Sequence, residues 1–565
     1  MGREARVTVG SLVVALELAC LDGPRRLSRG WGTGTGRRRL HDGTARGTVS
    51  QERAGAPHPV RVGQGEVNPV QLSLPIDEFF ARPQAPGIPR PRRIFSNRNL
   101  RMSAIAWVGF DMDYTLAIYN QQEMDELSIR ATIAKLVERG YPEFVRSIPY
   151  QTSFPVRGLL IDKRFGHILK MNRYKFVTKG YHGLRELAKD ELRQLYHSKK
   201  IRPATPRYHW IDTLYALSEA TLYAALVEAM DRRGLAIDYA RAFTDIRECI
   251  DEAHRDGTIL ETVTANFARF VRKDPELAPT LHKLRSSGKR LFLLTNSRWQ
   301  YTDKMMTYLL EGAMGEYPHW RNYFDVVIAA AMKPAFFQER RPLMEQSGAA
   351  LVPATLPLER GKIYEGGNLQ DLEQALGAIG DEVLYVGDHI YGDILRSKKE
   401  SAWRTAMIIQ ELEGEVQAHD SCREDFARGE HLEDARDRLE DELRFYQGRY
   451  KELSRRIEHP PAKTNGLSAA GAEVERGRIK RAIDRVRGRL RLVDGELHAI
   501  ERRIDQRFHP FWGSLLKEEN EESSFGSQVE DYACLYTSRV SNFLLYSPQQ
   551  YFRSPRDEMA HELER

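Results

Sequence analysis

A doubly wound parallel α/β sheet, with a helical insertion and a C-terminal helical hairpin, is the architecture this 565-residue sequence predicts. Three observations predict it. Four short apolar runs, "AIAWVGFDMD", "KRLFLLTNS", "YFDVVIAAAMKP" and "DEVLYVGDHIYGD", each end in a polar or charged cluster. Helical patterns such as "YTDKMMTYLLEG" lie between them. From Leu432 to Ile504, apolar residues then recur in steps of four and three.

The elements follow in order. Residues 1–60 hold ten arginines against five acids, which accounts for nearly all of the net charge of +6. The near-neutral remainder argues against a nucleic-acid polymer as partner, because such a surface needs a basic stripe on the folded part. "SLVVALELAC" is like a short signal core, but Glu17 interrupts it and it is too short to span a bilayer, so no membrane segment is expected. The Gly/Arg-rich stretch after it has no periodicity, and residues 1–90 are expected to be a disordered extension. Cys20, Cys249, Cys422 and Cys534 are scattered without CxxC spacing, which suits a reducing, cytoplasmic setting.

The four apolar runs are continuous and rich in Val, Ile, Leu and aromatics, as parallel strands buried on both faces are. Alternation with helices makes the sheet Rossmann-like, with ligands beyond the strand carboxyl ends. All four polar clusters fall there. The core is expected over 94–125 and 285–412. Asp111 and Thr295 are separated by 184 positions, far more than a crossover needs, so 126–284 is expected to be an inserted, mainly helical cap.

The clusters carry a coherent chemistry. Asp111, Asp113, Asp388 and Asp393 offer carboxylate oxygens suited to Mg²⁺. Thr295 and Ser297 can donate hydrogen bonds to phosphate, and Lys333 adds a compact positive charge. A carboxylate can attack phosphorus to form an aspartyl phosphate, and a second acid two residues on can protonate the leaving alkoxide and then activate water. Taken singly, a DxD is usually a solvated turn and "TNS" a helix cap. Their common placement at strand ends is what distinguishes them.

"DMDYT", "LLTNS", "MKP" and "GDHIYGD" resemble the four motifs of the haloacid dehalogenase-like phosphohydrolases. More narrowly, "FDMDYTLAIY", "TNSRWQYTDKMMTYL", "VGDHIYGDILRSKK" and "YACLYTSRVSNFLLYSP" resemble the cytosolic purine 5′-nucleotidase family, over roughly 94–412 and 505–565. The resemblance implies Asp111 as nucleophile and Asp113 as acid/base, with its backbone carbonyl also toward Mg²⁺. It implies Asp388 and Asp393 at the metal, and Thr295, Asn296, Ser297 and Lys333 around the phosphate. In "RECIDEAH", Arg247, Asp251 and His254 stand at i, i+4 and i+7 on one helix face, ordinarily a solvated one. The resemblance makes them base-reading residues, with a purine between Tyr215 and His254. Arg255 stands where the family has an aromatic, and Leu260 where it has a lysine. Arg202, Tyr391 and Lys399 match positions for a nucleotide effector, while Asp212 takes the place of an amide.

The final third divides in two. Ile479 through Ile504 and Leu432 through Ile457 form two heptad-like seams, and "HPPAKTNGLSAAG" permits a turn between them. A coiled-coil-like hairpin over 420–510 is expected, together with a homo-oligomer, and 511–565 is expected to pack back on the core. The leading expectation is a Mg²⁺-dependent nucleotidase acting on purine nucleoside 5′-monophosphates such as those of inosine and guanosine. The alternatives are a related phosphatase or nucleoside phosphotransferase, and a non-catalytic scaffold built on the hairpin.

Overall fold

The computed structural model describes residues 87–197, 201–348, 350–459, 469–556, 559 and 562. The expected disordered extension therefore lies almost entirely outside the described residues. Its boundary moves slightly: Arg90–Arg92 forms a 3₁₀ turn, and Arg90 and Arg92 pair with Asp420 and Glu276. The folded body thus begins before residue 94.

Ten strands form the central sheet in the order Phe95–Ser96, Leu535–Thr537, Arg404–Ile408, Val383–Gly387, Trp107–Phe110, Arg290–Leu294, Val326–Ala329, Tyr364–Gly366, Leu343–Ser347 and Ala350–Pro353. The strands from Leu535–Thr537 to Tyr364–Gly366 pair in parallel, and the outer pairs are antiparallel. This is the predicted α/β, Rossmann-like sheet. Side chains alternate across a strand. Val108, Phe110, Leu291, Leu293, Leu384 and Val386 accordingly join one apolar cluster. Trp107, Phe292, Leu294, Val383 and Tyr385 join a second. Burial on both faces explains why these strands read as unbroken apolar runs.

Trp107–Phe110 lies at the centre, between Val383–Gly387 and Arg290–Leu294. Close packing there needs a residue without a side chain. A Cβ on Gly109 would lie 2.1 Å from the Phe292 ring. The crossover order places the ends of these three strands, and of Val326–Ala329, along one rim.

The insertion carries a sheet beside the expected helices. It does contain the helices Leu217–Arg232 and Tyr239–Arg255, the second capped by Asp238, whose side chain accepts from the Arg241 amide at 3.0 Å. It also contains a five-stranded antiparallel sheet, ordered Arg185–Glu186, Val177–His182, His167–Met171, Leu159–Asp162 and Tyr208–Ile211. Leu159–Asp162 and His167–Met171 are buried at every residue, so they show no alternation that would betray them.

The hairpin consists of Arg423–Glu458 and Ala469–Phe508. Ion pairs fix it as antiparallel: Asp425 with Arg503, Glu496 with Arg428, and Glu442 with Arg489. The two seams pack on each other, with Leu453, Ile479 and Ile483 in one cluster and Leu432, Leu497 and Ile500 in another. Beyond it the chain returns to the body. Trp512 donates to the Phe154 carbonyl at 2.7 Å, and Leu535–Thr537 enters the central sheet. Among the described residues no helix is long and apolar enough to cross a membrane.

Candidate active site

Asp111 follows the central strand directly, and its amide donates to the Val386 carbonyl at 2.9 Å. That bond aims its side chain over the sheet rim, toward the loop after Val383–Gly387. There the carboxylate oxygens of Asp111, Asp388 and Asp393 lie within 4.8 Å of one another, all buried. Three carboxylates so close repel, and burial adds to the cost of charge. Burial, opposed by Lys333 but reinforced by Asp393 and Asp113, pushes Asp111 up to about 7. Burial, then Asp111 and Asp393, hold Asp388 well above the usual carboxylate range.

Lys333 relieves part of this repulsion. Its Nζ lies 2.9 Å from Asp111 Oδ1 and 2.6 Å from Asp393 Oδ1, and donates to the Tyr385 hydroxyl at 2.9 Å. Burial alone would lower the Lys333 ammonium, but Asp111 and Asp393 outweigh it and hold it well above its ordinary value. Asn296 fixes the lysine from behind. Its Nδ2 donates to the Lys333 carbonyl at 2.9 Å, and its Oδ1 accepts from the Lys333 amide at 2.6 Å. The side chain of Asn296 therefore sets the Lys333 loop, where the sequence suggested a phosphate ligand.

Asp113 has a different environment. Its oxygens accept from Tyr119 at 2.6 Å and from Ser297 Oγ at 2.6 Å, and Tyr119 is linked to the Tyr301 hydroxyl at 2.8 Å. Burial raises Asp113, and these hydrogen bonds draw it partly back. Its carboxylate is not one of the three clustered acids, whereas the sequence offered all four aspartates to the metal, Asp113 also through its backbone carbonyl. Ser297 is held here too, because its amide donates to Thr295 Oγ1 at 3.1 Å.

The loop after Val383–Gly387 is packed without slack. A Cβ on Gly387 would come within 2.5 Å of Asp393. From the insertion, the fully buried Arg157 donates to the Asp388 carbonyl at 3.1 Å and to both oxygens of Glu411 at 2.8 and 2.6 Å. Sequence reasoning missed Arg157, Glu411, Tyr119 and Tyr385. The first two carry no local pattern, but each tyrosine belongs to an apolar strand that leads to or from a motif.

On the insertion, Arg247, Asp251 and His254 share the helix Tyr239–Arg255 as expected. Tyr215 and His254 have ring centroids 4.8 Å apart at 56°. Rings in contact leave no room for a base between them, so the expected sandwich is replaced by a single aromatic wall. Burial lowers His254 to about 4, which keeps it neutral, and its Nε2 is buried without a hydrogen-bond partner. Arg247 Nη1 lies 2.6 Å from His209 Nε2 and 3.8 Å from the buried Glu219. Asp251 is exposed. Glu219 is the one acid in the largely apolar stretch 217–227, a sequence signal that went unused. Burial, then the charges of Asp125, Asp388 and Asp113 and the Tyr215 phenol, hold Tyr114 well above its ordinary value.

The expected effector positions are spread over separate elements. Arg202 is exposed on the loop before Tyr208–Ile211, and Tyr391 packs with the apolar cluster of Ile390 and Ile394. Lys399 Nζ lies 5.7 Å from the Tyr532 ring centroid. Burial raises Asp212, while His389, Arg157 and Arg247 oppose it.

A parallel sheet whose central strand leads into Asp111, with an acid two residues on and a lysine across the rim, is the arrangement of a phosphoric monoester hydrolase of haloacid dehalogenase-like type. The chain belongs to the 5' nucleotidase family, whose profile matches residues 94–564. A 5'-nucleotidase domain-containing protein of Dictyostelium discoideum is 29% identical over 483 residues, covering 84% of this chain and 75% of that protein. The 5'-nucleotidase domain-containing protein 2 of Homo sapiens is 30% identical over 348 residues, 59% of this chain and 66% of that protein. Its Rattus norvegicus counterpart is 31% identical, and this chain spans 62% of its length.

Proposed function

We propose that this protein is a Mg²⁺-dependent 5′-nucleotidase that releases phosphate from purine nucleoside 5′-monophosphates in the cytoplasm. The observation that carries the proposal is the unequal setting of two neighbouring carboxylates: Asp111 faces Lys333 and two further acids, while Asp113 is held by two hydroxyls.

Asp111 attacks phosphorus, the bond from phosphorus to the nucleoside 5′-oxygen breaks, and Asp113 gives its proton to the departing alkoxide. Asp113 then takes a proton from water as the water oxygen attacks phosphorus, and the bond to Asp111 breaks, releasing phosphate. Burial keeps Asp113 raised and so favours its protonated form at the start of the cycle. Lys333 balances charge on the phosphoryl oxygens.

The donor set fits a divalent cation. Three buried carboxylates lie together while Lys333 pairs with two of them, and hard oxygen ligands suit Mg²⁺. Asp111, Asp388 and Asp393 would hold it, and when bound it supplies charge neutralisation for the phosphoryl group.

The aromatic wall of Tyr215 and His254 supports a base as the rest of the substrate, stacking on the wall and satisfying His254 Nε2. The resemblance supports a nucleotide effector acting through Arg202, Tyr391 and Lys399, with Asp212 in the place of an amide. Phosphate release across a panel of nucleoside monophosphates, with and without Mg²⁺ and with added nucleoside triphosphate, tests both parts. Equal rates on all monophosphates and on a small aryl phosphate would remove the purine assignment.

A further inference from the structure

The hairpin has a charge pattern that its own seam does not need. In the half near the body, residues 423–442 and 492–508 carry thirteen acids against seven basic residues. In the far half, residues 443–458 and 469–491 carry thirteen basic residues against five acids. The polarity runs along the hairpin rather than across it. Internal pairing uses little of it. The pairs between the two helices, such as Glu442 with Arg489 and Arg428 with Glu496, leave Arg481, Arg485 and Arg487 exposed, along with Glu430, Asp434 and Asp437.

The boundary between the two halves carries one of the hairpin's exposed apolar side chains, the others in the described residues being Phe445 and Val474 of the far half. Leu492 is 72% exposed there. It lines a groove of about 420 Å³ with Ala435, Leu439, Val493 and the stems of Arg438, Glu442 and Arg489. An exposed leucine beside an apolar groove, flanked by opposite charge on its two sides, is self-complementary under one operation. A two-fold axis at Leu492 lays a second hairpin antiparallel, so that each basic end meets an acidic end and the two leucines meet at the centre. A parallel arrangement would set like charge against like.

We propose that the hairpin is a dimerisation surface whose partner is the hairpin of a second copy of this chain, packed antiparallel about Leu492. Charge sets the orientation, and the central apolar contact supplies the short-range attraction.

Sedimentation velocity on the full chain tests this. An elongated dimer is expected at micromolar concentration in about 0.1 M salt, weakening at least about tenfold near 1 M, where charges are screened beyond about 3 Å. Reversing the basic end (Arg481→Glu, Arg485→Glu, Arg487→Glu) or the acidic end (Glu430→Lys, Asp434→Lys, Asp437→Lys) should each give monomers with unchanged phosphatase turnover. Mixing the two reversed proteins should restore a dimer, because only the mixed pair is then complementary. Leu492→Cys should cross-link to itself, and Arg485→Cys should cross-link to Glu430→Cys of another copy. A wild-type monomer in low salt, a dimer indifferent to both reversals, or failure of the mixture to reassociate would each overturn the proposal. So would self-cross-linking of Arg485→Cys in preference to the mixed pair. A monomer that instead binds anionic vesicles or nucleic acid through its basic end would overturn it as well, in favour of an anion-binding surface.

Discussion

Lys333 Nζ bridges Asp111 and Asp393, at 2.9 and 2.6 Å, in a site where all three side chains are buried. One cation thus balances the proposed nucleophile and a second member of the acid cluster together. Replacing it by methionine keeps the volume but leaves two buried acids without their cation. Removing one partner of a buried pair costs about 3–5 kcal/mol. Lys333→Met should therefore lose turnover and unfold at markedly lower denaturant. Unchanged urea midpoints at neutral pH would mean the lysine serves the phosphate alone.

Asp111→Asn should abolish turnover with the fold retained, since a neutral amide is no phosphoryl acceptor. Asp113→Asn should lower the rate by about 10²–10⁴, the usual worth of a positioned acid/base. Rapid quenching should trap phosphate on the wild-type chain and none on Asp111→Asn. Near-normal release by Asp111→Asn would exclude the covalent route.

Asp251→Ala should narrow the preference for purine over pyrimidine monophosphates more than it slows hydrolysis of a small aryl phosphate. Inosine and guanosine monophosphates should exceed the cytidine and uridine forms in kcat/KM by about tenfold, because about 1.4 kcal/mol is tenfold. Leaving one polar group of the site unpaired costs about 1–3 kcal/mol. Equal loss on both substrate types would assign Asp251 to the fold.

Two glycines make opposite predictions. Gly109→Ala would drive a methyl into the Phe292 ring, and such overpacking costs about 1–3 kcal/mol or more. Gly387→Ala would displace Asp393 at the site itself. The first should lower the melting temperature with kcat nearly intact among folded molecules, and the second should lower kcat and weaken Mg²⁺ binding in a calorimetric titration. If both variants behaved alike, the separation of frame from site would be wrong.

His167 offers a pH test away from the acids. Burial, then His182, hold it down to about 4, and its Nδ1 lies 2.8 Å from the Tyr196 hydroxyl. In the unfolded chain it titrates near 6.5, so below that pH the unfolded state binds more protons. The stability from its neutral form is complete above about 6.5 and is lost as pH falls toward 4, at up to about 1.4 kcal/mol per pH unit. His167→Gln should be less stable than wild type at pH 7, with the gap narrowing by pH 5. Urea midpoints that stay parallel across that range would contradict this.

The sheet and its rim were legible because their signals are local. An unbroken apolar run followed by Asp111, Thr295, Lys333 or Asp388 states both strand and site within a dozen residues. The hairpin was legible for the same reason, its seam being written at fixed spacing. The sheet in the insertion was not, since Leu159–Asp162 and His167–Met171 are buried throughout and are flanked by ordinary turns. Arg157 and Glu411 were illegible in another way: they meet across 254 positions, and only the folded topology brings them together. Asn296 and the touching rings of Tyr215 and His254 show that a motif can name the right residues while the packing assigns their contacts.

One feature of the central sheet bears on how the chain is made. Leu535–Thr537 pairs with Arg404–Ile408 on one side and with Phe95–Ser96 on the other. At a synthesis rate of roughly 5–20 residues per second, Leu535 follows Ile408 off the ribosome by roughly 6–25 seconds. Throughout that interval the edge of Arg404–Ile408 has no partner, and the nascent hairpin emerges before the sheet can close. An uncovered strand edge of this kind is a template for mispairing with other chains. Translation that stalls within the last third would therefore release a chain whose catalytic motifs are all present but whose sheet remains open.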